Sequence, residues 1–500
     1  MSGKQQARGA FYDACAPLRD DGIHIAKYIE QLTALLFLKG VHESPQLDRE
    51  ASHLPDGARW EDILSQCNAY DSEKAVEIQS SEQESEYSTD HEDVIEYYDL
   101  VLDALQNDGP FFQEAFKGVS NEFKTPVNFK KTVENIEGLD FWETPSGQTE
   151  FDVKGAAYEE LLSRYADEAQ GAGQYFTPRP LINAIVGAVN PEFGETIHDP
   201  AAGTGGFLVG GYQHVHEKTD GFQVDSNGSN LTLEEKKGFL RGLTGVELVR
   251  ETKRLGAMNM IIHDMRPTSY FLGDALSDST YEQEGITNEF DTILANPPFG
   301  STYNKDVASD KIKFDGNKRI EFLFVQQIMG RLNENGRAGV IVPEGVLFNS
   351  SARSIREELL TKFNLHTVLV LPENSFHPYA GVDANVLFFE RDSNGTDEVW
   401  YYDARTDNDS INKSNLLTEE HFTDFLDHFD PDEREDCENF FKVDVDVIEE
   451  NEYDLNYKSY KDFDTGKTHR DPIDVLADLR KTTENIEEEL DELGELVGGL

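Results

Sequence analysis

From residue 196 onward, short apolar or β-branched runs recur with helical stretches between most of them. The runs are Thr196–His198, Leu243–Val246, Tyr270–Leu272, Thr292–Leu294, Ala338–Val342, Thr367–Leu371 and Asn385–Phe389. Arg250–Ile262, Glu321–Leu332 and Ser354–Phe363 read as helices between them. Alternation of this kind predicts an α/β unit, a mostly parallel sheet of seven strands covered by helices on both faces. Only a short Pro/Gly-rich connection joins the last two runs. It is too short for a helical crossover, so that pair is expected to be antiparallel. Ligands on such sheets sit at the carboxyl ends of strands, near the point where strand order reverses.

Those strand ends carry the informative residues. The first run leads into Asp199-Pro-Ala-Ala-Gly203-Thr204-Gly205-Gly206-Phe207. Its glycines allow the backbone to approach a ligand and open the next helix. The spacing is neither the dinucleotide pattern nor a phosphate loop. The second run ends Thr244-Gly-Val-Glu247, a carboxylate where a ribose diol would sit. The third ends Leu272-Gly273-Asp274, where an acid could accept a hydrogen bond from an adenine amine.

The fourth ends Asn296-Pro297-Pro298-Phe299-Gly300. Successive prolines cannot donate to a sheet ladder, and the first forces Asn296 to be extended. The result is a stiff tetrapeptide presenting one amide, backbone carbonyls without competing N–H groups, and one aromatic face. Such a device suits a flat ring bearing an exocyclic amine; the plain alternative is a rigid turn with a buried Phe.

Elsewhere the chain is less explicit. Residues 1 to about 150 read as helical, with apolar positions at helical spacing in Ile23–Lys39, Val94–Leu105 and Asn128–Ile136. Asp71–Asp93 is acidic and Ser-rich, as in an exposed loop. Gly155–Tyr165 reads as a linking helix, and Thr177-Pro178 as the start of a helix over Leu181–Val189. After Asp392 the pattern fades into an acidic mixed extension. Asp471–Val497 then reads as an amphipathic helix whose near-heptad seam would either fold back on its own domain or, the favoured reading, dock on another chain. The expected divisions are therefore 1–150, 151–400, 401–470 and 471–500.

Charge is the unusual bulk property: 97 acidic against 44 basic residues, a formal net of −53. Because the acids are spread along the whole chain, a surface adapted to high salt is favoured over an acidic tail, and a halophilic source is inferred. Cys15, Cys67 and Cys437 lack metal-type spacing, which argues against a disulfide framework or a zinc site. With no long apolar run and no targeting segment, no membrane association and a cytoplasmic location are expected.

At this point the chain resembles a known family. The Asp-Pro-Ala-Ala-Gly-Thr-Gly-Gly-Phe loop and Asn-Pro-Pro-Phe are similar to the cofactor and catalytic motifs of amino-group DNA methyltransferases. Their order is that of the gamma class of N6-adenine enzymes. Tyr28-Ile-Glu-Gln-Leu, Leu36-Phe-Leu-Lys39, Gly173-Gln-Tyr-Phe-Thr-Pro-Arg179, Val342-Pro-Glu-Gly-Val-Leu-Phe348 and a weaker Tyr453-Asp-Leu-Asn-Tyr457 resemble the modification subunit of type I restriction–modification systems. Where that family usually carries Cys in the cofactor loop, this chain has Ala202.

The resemblance implies a Rossmann-like S-adenosylmethionine-dependent methyltransferase fold with an N-terminal helical domain and a C-terminal helical tail. Gln174, Phe176 and Thr177 would line the methionine end of the cofactor site. Asp199, Gly203, Thr204 and Gly205 would flank its amino-acid part, Glu247 would hold the ribose hydroxyls and Asp274 the adenine amine. Asn296, Pro297, Pro298 and Phe299 would be catalytic. The partners would be double-stranded DNA, a specificity subunit embraced by two methylation subunits, and a restriction subunit. This chain itself carries no zinc-finger spacing, basic arm, helicase loop or nuclease signature. Two other readings remain: methylation of RNA or of a protein glutamine, and a catalytically silent scaffold.

Overall fold

The computed structural model describes residues 16–138 and 176–461 with short gaps. Within the first block, residues 24, 44–53, 71–93, 108–111, 114 and 115 lie outside the description. Within the second, these are 225–228, 264, 304–307, 314–317, 377–382, 393, 406–410, 412–414, 432, 433 and 438. The expected loop Asp71–Asp93, linking helix Gly155–Tyr165 and C-terminal helix Asp471–Val497 therefore fall outside the described residues.

The main helices are α1 (Ile25–Glu43), α2 (Trp60–Ala69), α3 (Val94–Asn107), α4 (Pro126–Glu137), α5 (Arg179–Val189), α6 (Gly206–Lys218), α7 (Leu233–Gly242), α8 (Arg250–Ile262), α9 (Asp278–Glu284), α10 (Ile320–Arg331) and α11 (Arg353–Lys362). The first four enclose an aromatic-rich core containing Phe37, Trp60, Tyr98, Phe116 and Phe129. Phe37 and Phe116 meet edge to face at 5.2 Å, a favoured arrangement of ring quadrupoles. Lys39 is buried without a wasted donor, because its Nζ caps the last turn of α4 at the Ile136 and Glu137 carbonyls (2.9 and 2.8 Å). Leu255, Met258 and Ile261 of α8 belong to the same core. The helical third is therefore built onto the α/β unit. A buried ion pair, Arg254 Nη2 to Glu30 Oε1 at 2.5 Å, crosses that junction.

The strands are β1 (Ile197–Asp199), β2 (Leu243–Glu247), β3 (Tyr270–Leu272), β4 (Phe290–Ala295), β5 (Leu332–Pro343), β6 (Asn364–Val370), β7 (Ala384–Glu390), β8 (Glu398–Asp403) and β9 (Phe440–Asp444). They form one sheet in the order β3-β2-β1-β4-β5-β7-β6-β8-β9. From β3 to β5 all pairs are parallel, whereas β7 runs antiparallel to both β5 and β6, as its short connection requires. The chain moves outward from β1 to β3, then returns to place β4 on the other side of β1. The reversal of strand order thus lies between β1 and β4.

Among the described residues the sheet has nine strands, not the expected seven. β8 pairs parallel with β6, and β9 antiparallel with β8. The aromatic residues Trp400, Tyr401 and Tyr402 are buried in it, so the boundary expected near residue 400 runs through a strand. Both strands sit among carboxylates, which dilute the apolar pattern that betrays the other seven.

His198 of β1 ties the centre together. It stacks on Phe290 of β4 at 4.0 Å and bonds Tyr281 of α9 at 3.0 Å. The Arg331 guanidinium covers the Tyr281 ring at 3.3 Å. Burial drives the imidazole pKa down to about 3, so His198 is a neutral packing element.

By its contacts the chain divides into Met1–Leu455 and Asn456–Leu500. The described part of the second unit contains a 3-10 turn, Tyr457–Ser459, opened by the Asn456 side chain accepting the Lys458 N–H. Among the described residues no helix is long and apolar enough to cross a membrane.

Candidate active site

The glycine-rich loop after β1 is held in shape at nearly every residue. The Ala202 N–H donates to Val246 O (3.0 Å), and the Gly205 N–H to Ala202 O (2.7 Å). The Tyr270 hydroxyl donates to Gly203 O, and Asn259 Nδ2 to Thr204 O at 2.9 Å. Gly205 has φ 77°, the left-handed conformation that opens α6 and that a side chain would strain. A Cβ on Gly245 of the neighbouring strand would lie 2.7 Å from Leu208 and 3.0 Å from Ala202. Close packing beneath the loop therefore also depends on a glycine.

Three carboxylates stand at the adjoining strand ends. Asp199 is buried, with Oδ1 accepting the Ala201 N–H at 3.0 Å. Burial, reinforced by the nearby Glu247 charge, pushes its pKa up to about 8. Glu247 accepts the Gly203 N–H on Oε2 (3.0 Å) and the Val249 N–H on Oε1 (2.7 Å). Burial raises its pKa while those two bonds oppose the shift. Each of these oxygens retains a second lone pair for a ligand donor. Asp274 accepts the Leu276 N–H on Oδ1 (2.9 Å) and the Tyr303 hydroxyl on Oδ2 (2.5 Å).

Across the strand-order reversal, β4 ends at Ala295 and delivers the tetrapeptide. Asn296 Nδ2 donates to Thr177 Oγ1 at 2.9 Å. Its Oδ1 is buried and has no hydrogen-bond partner among the described residues. An unpartnered buried acceptor costs free energy, and here it points to a donor supplied from outside. Pro297 is buried and Pro298 half-buried. Phe299 packs partly on the core beneath α5 and α6. Gly300, at φ 80°, turns the chain away, its N–H donating to buried Glu321 at 3.2 Å.

The structure brings Asp199, Gly203 and Glu247 together around one loop, and Thr177 together with Asn296. Phe176, next to Thr177 in the chain, is half-buried against the N-terminal core. Gln174 lies outside the described residues. Sequence reasoning missed Tyr303, Tyr270 and Asn259. No motif marks a tyrosine in a loop or an asparagine on a helix, so only the fold reveals them. Among the described residues no group of His, Cys, Asp and Glu could hold a metal ion.

Comparisons with known proteins agree with this arrangement. Residues 149–468 match the N-6 DNA Methylase family. The chain is 34% identical over 423 residues to the type I restriction enzyme EcoKI methylase subunit of Escherichia coli (strain K12), covering 82% of this chain and 73% of that relative. A solved structure of a type I R-M system matches with TM-score 0.68 and 25% identity over 99% of both chains. The type I restriction-modification methyltransferase subunit from Streptococcus thermophilus shares the fold, with TM-score 0.69 at 19% identity over 92% of this chain and all of that one. The glycine-rich loop after β1, the Asn-Pro-Pro-Phe turn after β4 and these likenesses converge: the chain belongs to the N-6 DNA methylase family, among the methylase subunits of type I restriction enzymes.

Proposed function

We propose that this cleft transfers a methyl group to N6 of adenine in duplex DNA, within a type I restriction–modification complex whose specificity subunit selects the sequence. The observation that carries the reading is the Asn296 amide, with its nitrogen held by Thr177 and its buried oxygen free to accept. S-adenosylmethionine, the methyl donor of this family, would supply an electrophilic methyl group at a sulfonium. The residues present fit it. Asp199 and the Gly203–Gly205 loop suit the amino-acid end, Glu247 a diol, and Asp274 an exocyclic amine. Gln174, Phe176 and Thr177 are assigned to the methionine end by resemblance.

The chain's own part is to grip the base. A target adenine must be extruded from the helix, at a cost of a few kcal/mol. Phe299 offers a face to stack on. Asn296 Oδ1 and the Pro297 carbonyl accept the two N6 hydrogens, which draws the nitrogen toward tetrahedral geometry and localises its lone pair. Rate enhancement then comes from positioning and fixed dipoles, with no covalent enzyme intermediate. Positions 301–362, following the tetrapeptide, carry ten basic and eight acidic residues, a stretch near charge balance in a chain of net −53.

Two copies of this chain would flank one specificity subunit, with the segment 471–500 as docking element and cleavage left to a restriction subunit. The acidic surface is read as an adaptation to salt, in a cytoplasmic protein of a halophile. The test is transfer of labelled methyl to duplex DNA in high salt, with and without a co-expressed specificity subunit. Label is expected in DNA and to depend on that subunit. Label in RNA or protein would select the alternative substrates, and none with cofactor still bound would indicate a silent scaffold. Deleting residues 471–500 should abolish co-purification with the specificity subunit; unchanged binding would remove that docking assignment.

A further inference from the structure

We infer that Tyr303 is a positioning residue that aims the Asp274 carboxylate at the exocyclic amine of the cofactor's adenine. The inference rests on the proposed reading of the strand-end cleft, in which Asp274 meets that amine, and adds a residue that no motif marks. Asp274 Oδ2 accepts the Tyr303 hydroxyl at 2.5 Å, and Oδ1 accepts the Leu276 N–H at 2.9 Å. An ionised carboxylate can only accept, so the tyrosine donates and the bond has one sense. Burial, and after it the bond to Asp274, raise the Tyr303 pKa; the hydroxyl therefore keeps its proton at neutral pH. One donor on each oxygen fixes the plane of the carboxylate. Each oxygen keeps a second lone pair, so the direction offered to a ligand's amine is set before the ligand arrives. Without the tyrosine, only the Leu276 bond from the same loop would hold the carboxylate.

The hydroxyl is delivered by a braced piece of chain. Gly300 turns the backbone out of the tetrapeptide and donates its N–H to Glu321 at 3.2 Å. Residues 301–303 then run antiparallel to 318–320, with Thr302 opposite Arg319. The Ile320 N–H donates to Ser301 O at 3.0 Å, and the Tyr303 N–H to Lys318 O at 2.8 Å. Those partners lead directly into α10. The Asp274 loop is tied to the same helix, because buried Gln327 of α10 donates Nε2 to Ala275 O at 2.7 Å. The Asp274 N–H donates in turn to Thr280 Oγ1 of α9 at 3.1 Å. Farther on, the Ser309 N–H donates to Leu276 O at 2.7 Å. The phenol and the carboxylate therefore meet from two backbones that are each fixed independently of the bond between them.

The experiment measures Kd by calorimetry in high salt, on the full chain co-expressed with its specificity subunit. Two probes are compared: S-adenosylhomocysteine and its analogue with hydrogen in place of the 6-amine. The wild type is expected to prefer the amine-bearing probe. Tyr303→Phe should lose about fivefold to tenfold in affinity for S-adenosylhomocysteine, the scale of one hydrogen bond. Its affinity for the 6-hydrogen analogue should stay within about twofold of wild type, which also shows that the variant is folded. Asp274→Ala should abolish the preference, and adding Tyr303→Phe to it should change nothing further, since no acceptor is left to aim. Equal weakening of both probes by Tyr303→Phe would make the tyrosine a packing residue and overturn the inference. Unchanged or tighter binding of S-adenosylhomocysteine would overturn it as well. A wild type that binds both probes equally would remove Asp274 as the amine's acceptor, and one that binds neither would defeat the cofactor reading itself; the inference falls with either.

Discussion

Asp199 stands out among the site residues because its environment and its assigned ligand pull in opposite directions. Burial holds its carboxyl protonated up to about pH 8, whereas a cationic amino group nearby would favour the carboxylate. Two consequences follow. The folded-state pKa lies above the unfolded value of 3.8, so Asp199 contributes stability fully below that value and loses it as pH rises toward 8. Asp199→Asn should therefore gain stability relative to wild type between pH 5 and about pH 8, measured by urea unfolding at each pH. Cofactor binding should also tighten with rising pH over the same window and release protons, a trend that Asp199→Asn should flatten. Calorimetry in buffers of different ionisation enthalpy reads both effects. At this scale the strand-end residues Asp199, Glu247, Asp274 and Asn296 were legible because a strand's last residue has a known location. Thr177 was placed at the cofactor by resemblance, but its bond to Asn296 was not foreseen, nor was Tyr303, since nothing local in a sequence says which distant side chain will stand opposite.

The elements show the same contrast between local and long-range information. α8 was read at its observed bounds, Arg250–Ile262, from the apolar run of its second half. α7 was overlooked although Thr232 accepts the Glu235 N–H at 3.3 Å, a capping pair spelled in the sequence. β8 and β9 were missed because acidic neighbours masked their burial. The junction of α1 with α8 was invisible for another reason: Glu30 and Arg254 are 224 residues apart. Their side chains are each only 9% exposed. Glu30 keeps Lys27 as a second partner at 3.0 Å, whereas removing Glu30 strands the buried Arg254 charge. Glu30→Ala should cost about 3–5 kcal/mol, and replacing both residues with Leu should recover most of it. Urea unfolding decides this; a single-variant loss under about 1 kcal/mol would mean that water solvates the pair.

For the whole molecule, charge governs behaviour more than fold. With 97 acidic and 44 basic residues, self-repulsion acts over about 10 Å in 0.1 M salt and about 3 Å in 1 M. The melting temperature should therefore climb steadily as potassium chloride is raised across that range. A flat or falling trend would remove the salt-adaptation reading. Composition revealed the acidity at once but could not say where it relents, which depends on how the segment after the tetrapeptide lies against the sheet. The central claim is that the β4 tetrapeptide grips adenine N6 beside a cofactor cradle centred on β1. The most direct measurement is nucleoside mass spectrometry of duplex DNA incubated in high salt with the wild-type complex and with Asn296→Ala. The account predicts N6-methyladenine from the wild type and at least about a hundredfold less from Asn296→Ala, with cofactor binding retained. Methylation at a different atom, or undiminished N6-methyladenine from the variant, would contradict it.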